Sequence, residues 1–217
     1  MKNEDIILKT SEYVKKELLN EGSGHDWWHI FRVWNNAKLI CKTERANIFI
    51  VELAALLHDI ADWKFNNGDQ KAGSKKAKIW LESLYVDPQI ILKVCEIIET
   101  SSFKGAKVQT SMKTIEGKIV QDADRLDAIG AIGIGRSFTY GGHIGRLMHN
   151  PEIKPYIHKT AEEYIEISES TINHFYEKLL LLKDLMNTET AKKIAQKKHE
   201  FMQEFLTQFY KEWNGEL

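Results

Sequence analysis

Apolar residues recur at three-to-four spacing along nearly the whole of this 217-residue chain, a period that suits helices and leaves almost no room for strands. Ile7, Val14 and Leu18 mark one such face, and Ile30, Val33, Ala37 and Ile40 mark the next. The same spacing predicts helices from Ile48 to Asp62, Gln70 to Leu84, Pro88 to Thr100, Ile115 to about Gly130, Ala161 to Met186 and Thr188 to Trp213. Their starts carry matching signals: Asp87 before Pro88 is a good N-cap followed by a first-turn proline, and Thr160-Ala-Glu-Glu163 reads as a capping box. No alternating run bounded by turn signals reads as a strand, so the chain is predicted to be all-α. Two regions read as loops, Lys64 to Asp69 and the glycine-rich span Gly130 to Pro155, the second long enough to be expected to shape a site or to serve as a loose crossover. No repeat, low-complexity tract or linker divides the chain. A single domain over 1–217 is expected, with its core at about 20–130 and C-terminal helices at about 160–213 packing on it.

Composition narrows the function. At 43% hydrophobic and 28% charged the chain has the material for an ordinary core. Thirty basic residues stand against thirty-one acidic ones, which leaves no global field for gripping a polyanion, so nucleic-acid binding is not expected. Cys41 and Cys95 stand apart from one another in helical segments and read as reduced packing thiols. The start of the chain is acidic and lacks the long apolar core of a signal peptide, and the apolar stretch Ile48 to Ala61 is too short to span a bilayer. A cytoplasmic protein without a membrane segment is expected.

Three of the predicted apolar faces carry ionisable groups. His29 shares a stripe with Val33, Ala37 and Ile40. His58 shares one with Val51, Ala54 and Ala55, with Asp59 about 100° further round, and Asp124 lies four residues after Val120 and four before Ala128. A lone core histidine is ordinarily a hydrogen-bonded packing residue. An adjacent His-Asp pair with partners on earlier and later helices instead favours a shared divalent cation, which satisfies two imidazoles and two carboxylates at once. Mixed nitrogen and oxygen donors suit Mn, Fe, Co, Ni or Zn better than Ca, and four protein donors leave open positions only at a five- or six-coordinate ion, which favours an octahedral metal over tetrahedral zinc.

The segments Gly24-His-Asp-Trp-Trp-His29-Ile-Phe-Arg-Val33, Ala-Ala-Leu-Leu-His58-Asp59-Ile-Ala-Asp62 and Val120-Gln-Asp-Ala-Asp124-Arg-Leu-Asp127-Ala resemble the ordered H…HD…D signature of HD-domain phosphohydrolases. Ser102-Phe103-Lys104-Gly105 and Gly117-Lys118 resemble one bacterial branch of small stand-alone HD hydrolases, and the likeness runs over about residues 20 to 215. It implies an all-α helical bundle with His29, His58, Asp59 and Asp124 as metal ligands. His25 is an alternative to His29, although the resemblance places the ligand three residues before Arg32. Asp122 and Asp127 flank Asp124, which heads the Asp-x-x-Asp-Ala pattern, and Asp122 is its main challenger. Relatives that hold two metals need further histidines between the His-Asp pair and the last aspartate, and none occurs between Asp59 and Asp124. One divalent ion is therefore expected, Mn first, with Mg, Co, Ni, Fe or Zn as alternatives.

For chemistry, Asp59, Asp62 and Lys64 form the candidate catalytic set: Asp62 is placed to orient or deprotonate water, and Lys64 to neutralise phosphate. Lys104, Arg125 and Arg136 are the candidate substrate-binding cations, each with solvated surface charge as the plainer alternative. The near-zero charge points to a small phosphorylated metabolite. A nucleotide is expected first, and the resemblance extends this to deoxynucleoside triphosphates cleaved to monophosphate and pyrophosphate. Trp27, Trp28, Trp63, Phe65 and Tyr140 are candidates for stacking a base, or else core aromatics. The expected partners are that small substrate, no nucleic acid and no membrane, with the chain a monomer or homodimer. The competing class is a catalytically silent metal- or nucleotide-binding helical module.

Overall fold

The helix over Ile48–Leu57 is apolar on every side except at Glu52, and it is buried from Phe49 onward apart from that residue. A helix of this kind has to lie at the centre of a core. The computed structural model describes residues 1–18, 26–61, 69, 71–101, 112–156 and 170–216. Its helices are α1 (Asn3–Glu17), α2 (Trp27–Cys41), α3 (Ile48–Leu57), α4 (Ala72–Ser83), α5 (Pro88–Ser101), α6 (Ile115–Asp127), α7 (Gly130–His143), α8 (Thr171–Glu177) and α9 (Glu189–Asn214), with a 3-10 helix over Leu179–Leu185 before α9. Among the described residues there is no strand, only an isolated bridge between Leu147 and Ser170, so the fold is all-α. No described helix is long and apolar enough to cross a membrane.

Backbone contacts divide the described residues into two compact units. The first holds α1 to α5 and α6 as far as Asp124, and the second holds everything from Arg125 onward. In the first, α3 packs against α1, α2 and α5, and α4 packs against α5. Polar ties set the registers around that core. Trp34 Nε1 donates to Glu52 between α2 and α3 at 3.0 Å, and the Asn47 amide donates to Glu116 at the foot of α6 at 3.0 Å. Asn36 Nδ2 reaches the Ala123 carbonyl of α6 at 3.4 Å. On the far side Tyr13 stacks on Trp80 at 4.0 Å, and the indole of Trp80 donates to Thr10.

In the second unit α7 packs against α8 and α9, and the 3-10 helix against the same two. Phe138, Phe175, Phe205 and Phe209 form a continuous aromatic core there, with ring centroids 5.7–6.2 Å apart. Lys198 Nζ donates to the Leu126 carbonyl at 2.6 Å and caps the C-terminal end of α6, where a cation is favoured.

Three predicted boundaries are corrected. The helix from Ile48 stops at Leu57 rather than Asp62: the Ile60 amide bonds the Leu57 carbonyl, a tighter i+3 turn that closes the element. The glycine-rich span expected to be a loop is helical over its first half, as α7. Its glycines serve close packing there, since a Cβ on Gly133 would sit 2.2 Å from the Ala128 carbonyl oxygen. The predicted helix from Ala161 to Met186 is broken, within its described part, at Lys178, whose φ of −140° and ψ of −60° end α8. The following leucines then wind as a 3-10 helix that buries Leu179 and Leu182, three residues apart and therefore on one face. Residues 161–169 and the capping box at 160 lie outside the described residues.

Candidate metal centre

His29 lies in the first turn of α2, where a histidine would ordinarily meet water, yet its side chain is completely buried. Val33, Ala37 and Ile40 on the same stripe are also buried, so the face packed against the core carries the imidazole inward with it. The turn itself is closed by Asp26, the N-cap, whose Oδ1 accepts from the His29 amide at 2.8 Å.

His58 and Asp59 follow α3 directly, at the turn that ends it. His58 keeps helical φ and ψ of −60° and −33°, so the two side chains leave the backbone about 100° apart, yet His58 Nε2 and Asp59 Oδ2 reach to within 3.5 Å of one another. His58 Nδ1 is 2.9 Å from the Ala55 carbonyl. A carbonyl only accepts, so Nδ1 carries a proton, and Nε2 is the ring atom turned toward the cluster. This is the arrangement by which a backbone carbonyl orients a ligand histidine. Among the described residues His58 Nε2 has no hydrogen bond, although it is buried.

Asp124 enters from α6. Its Oδ1 is 3.5 Å from His29 Nε2 and 3.9 Å from His58 Nε2, while Asp59 Oδ2 is 3.4 Å from His29 Nε2. These separations exceed the usual hydrogen-bond range of about 2.7–3.2 Å. They lie at or slightly above the spacing of donors arranged round a common centre, since two atoms each about 2.1 Å from a cation and about 90–110° apart are about 3.0–3.4 Å from one another. The donor atoms of His29, His58 and Asp59 all lie within 4.8 Å of one another, so these three could hold a metal ion, and Asp124 stands against both imidazoles. The imidazoles are 0% and 2% exposed, whereas the carboxylates are 24% and 35% exposed. The cluster is closed on its nitrogen side and open on its oxygen side.

The other candidate residues fall elsewhere. Asp122 is fully buried and leaves α6 about 200° round from Asp124. Asp127 and Arg136 belong to the second unit and form a close pair, Nη1 to Oδ2 at 2.8 Å, with Asp127 buried. Arg125 is also in the second unit and donates to the Leu185 carbonyl. Both arginines expected to bind substrate are thus engaged within their own unit. Asp62, Lys64, Lys104, His25, Trp63 and Phe65 lie outside the described residues. Trp27 is buried while Trp28 is exposed, and Tyr140 belongs to the second unit. Both thiols are free and half-buried; burial and the nearby Glu52 push Cys41 up to about 11, which suits a packing role. The sequence reading missed two supports of the cluster. Asp26 had a legible signal, a cap residue before an apolar-periodic run, but the Ala55 carbonyl had none.

The family model described as the HD domain matches residues 27–129, which include all four clustered residues. YpgQ of Bacillus subtilis is 38% identical over 206 residues, spanning 94% of this chain and 91% of its own. The chain belongs to the HD superfamily. An HD-superfamily hydrolase from Bacillus thuringiensis superposes with a TM-score of 0.77 at 46% identity, over 98% of this chain and 99% of its own. The structure of YpgQ in complex with ADP superposes with a TM-score of 0.74 at 34% identity, over 95% of this chain and 97% of that one. For this HD protein the likeness therefore spans nearly its whole length, and the solved structures it resembles include an HD-superfamily hydrolase.

Proposed function

We propose that this chain is a metal-dependent phosphohydrolase of a small phosphorylated metabolite. A nucleotide is the substrate class, with deoxynucleoside triphosphates cleaved to monophosphate and pyrophosphate as the first members to test. One observation carries the reading: two buried imidazoles and two partly exposed carboxylates converge at 3.4–3.9 Å, too far apart for hydrogen bonds and suitably spaced for a shared cation. The buried His58 Nε2, without a hydrogen bond among the described residues, costs on the order of 1–3 kcal/mol unless something takes its lone pair. His29, His58, Asp59 and Asp124 would hold one divalent ion, Mn first. Such an ion, when bound, supplies Lewis acidity toward a phosphate oxygen and lowers the pKa of a bound water.

The chain's own part is positioning. The Ala55 carbonyl holds the His58 ring in one tautomer, and Asp26 closes the turn that carries His29. The 24% and 35% exposure of Asp59 and Asp124 leaves the substrate an approach on the carboxylate side. Asp59 would then border both the ion and the substrate. Asp62 is assigned to orient or deprotonate the attacking water and Lys64 and Lys104 to neutralise phosphate charge, on their places in the sequence motifs. The ADP bound to YpgQ supports a nucleotide as the ligand class.

The test is to strip metal with a chelator, restore Mn, Mg, Co or Ni in turn, and screen nucleoside mono-, di- and triphosphates for released phosphate and pyrophosphate. Metal-dependent release from a nucleotide is expected, with pyrophosphate from deoxynucleoside triphosphates. Tight nucleotide binding without turnover under any metal would overturn the enzyme reading and leave a binding module.

A further inference from the structure

The first turn of α2 carries a residue whose role goes beyond the donor set. Asp26 is the N-cap, with extended φ and ψ of −75° and 174°, and its Oδ1 takes the amide proton of His29 at 2.8 Å. His29 is the third residue of that helix, so the amide Asp26 binds is one of those with no partner inside the helix. The same residue therefore supplies the cap contact and the imidazole, and any fraying of the turn moves Nε2 directly. The neighbouring faces fix the rest of α2: Ile30, Val33, Ala37 and Ile40 are fully buried, and Asn36 ties its middle to the Ala123 carbonyl. Trp27 buries the start of the same turn, and the Asp26 cap adds the hydrogen bond that fixes the His29 backbone within it.

We propose that Asp26 is a positioning residue for the metal centre, acting through the helix cap and not through its charge. The inference rests on the metal-centre reading, and it fits the closeness of the cluster, where His29 Nε2 must stay within 3.4–3.5 Å of both carboxylates. A serine or asparagine at 26 keeps an acceptor for the His29 amide, while alanine removes it. Charge and cap are thereby separable.

The experiment is calorimetric titration of chelator-stripped full-length protein with Mn2+, at a temperature well below the unfolding transition, on wild type, Asp26→Ala, Asp26→Ser and Asp26→Asn. Thr188→Ala is the control, because Thr188 caps α9 through the Ala191 amide and α9 carries no member of the cluster. Asp26→Ala is expected to weaken Mn2+ binding about 10-fold or more, the range seen when the support of a ligand histidine is lost. Asp26→Ser, Asp26→Asn and Thr188→Ala are expected to stay within about twofold of wild type, a rescue that a purely electrostatic role would not give. Two results overturn the proposal: serine and asparagine variants as impaired as alanine, which would make the charge the active feature, or an alanine variant that binds like wild type. If the alanine variant does not fold, Asp26→Gly takes its place, since glycine also lacks the side-chain acceptor but costs only a few tenths of a kcal/mol at an N-cap. Failure of wild type to bind Mn2+ or any other divalent ion would instead remove the metal-centre reading itself.

Discussion

Alanine at Asp124 and alanine at Asp122 should fail in opposite ways, although the two residues are neighbours on one helix. Asp124 is 35% exposed and places its Oδ1 against both imidazoles, so its removal takes away a donor while leaving little buried surface unsatisfied. Loss of supporting contacts alone costs metal affinity about 10–100-fold, so loss of a donor should cost at least about 100-fold. The stability of the metal-free protein should change by no more than about 0.5 kcal/mol, as for other partly exposed sites. Asp122 is fully buried and is not without a partner, so truncating it leaves an interaction of a buried group unmade, at a cost of about 1–3 kcal/mol. At about 2–4 °C per kcal/mol for a chain of this size, that is a fall in Tm of about 2–12 °C. Mn2+ titration and scanning calorimetry of the stripped proteins read the two effects separately. The reasoning is refuted if Asp122→Ala loses the metal with its Tm intact while Asp124→Ala binds normally.

Other expectations concern stability. Tyr85 ends α4 at φ 57° in the left-handed region and is 94% exposed, so Tyr85→Gly relieves backbone strain without losing packing and should raise Tm by about 2–4 °C in a thermal melt. Gly133→Ala should do the reverse, because its Cβ would meet the Ala128 carbonyl at 2.2 Å and backbone must move; a fall of at least about 1 kcal/mol in denaturant unfolding checks it. Burial pushes the His149 imidazole below its ordinary range, where it packs edge-on against Phe209, Tyr210 and Trp213. Its folded pKa is depressed, so above about 6.5 both states are neutral and its contribution is intact. As the pH falls below that value the unfolded chain takes up a proton that the folded one resists. Wild type should therefore lose Tm more steeply than His149→Phe on going from pH 7 to pH 5, and equal slopes would contradict the assignment.

The sequence made the helical class and the three donor-bearing stripes legible because both depend on local period. His29, Val33, Ala37 and Ile40 share a face whatever surrounds them, and they are all buried as that period implies. What it could not convey was where a helix stops for tertiary reasons. No glycine or proline marks the end of α3 at Leu57, where the Ile60 amide turns back onto the Leu57 carbonyl. The glycines of α7 read as loop residues because their local cost is visible in sequence, while the close approach to Ala128 that repays it is not. Arg136 read as a free cation for phosphate, and its ion pair with Asp127, nine residues earlier, lay beyond the spacing of any helical neighbour.

The measurement that bears most directly on the metal centre is an anomalous-difference map from crystals grown with Mn2+ and recorded at an energy where manganese scatters anomalously. A single peak is expected, bounded by His29 Nε2, His58 Nε2 and the carboxylates of Asp59 and Asp124. A peak held by His25 or Asp122 in place of these, two peaks at the cluster, or none with Mn2+ in excess would contradict it.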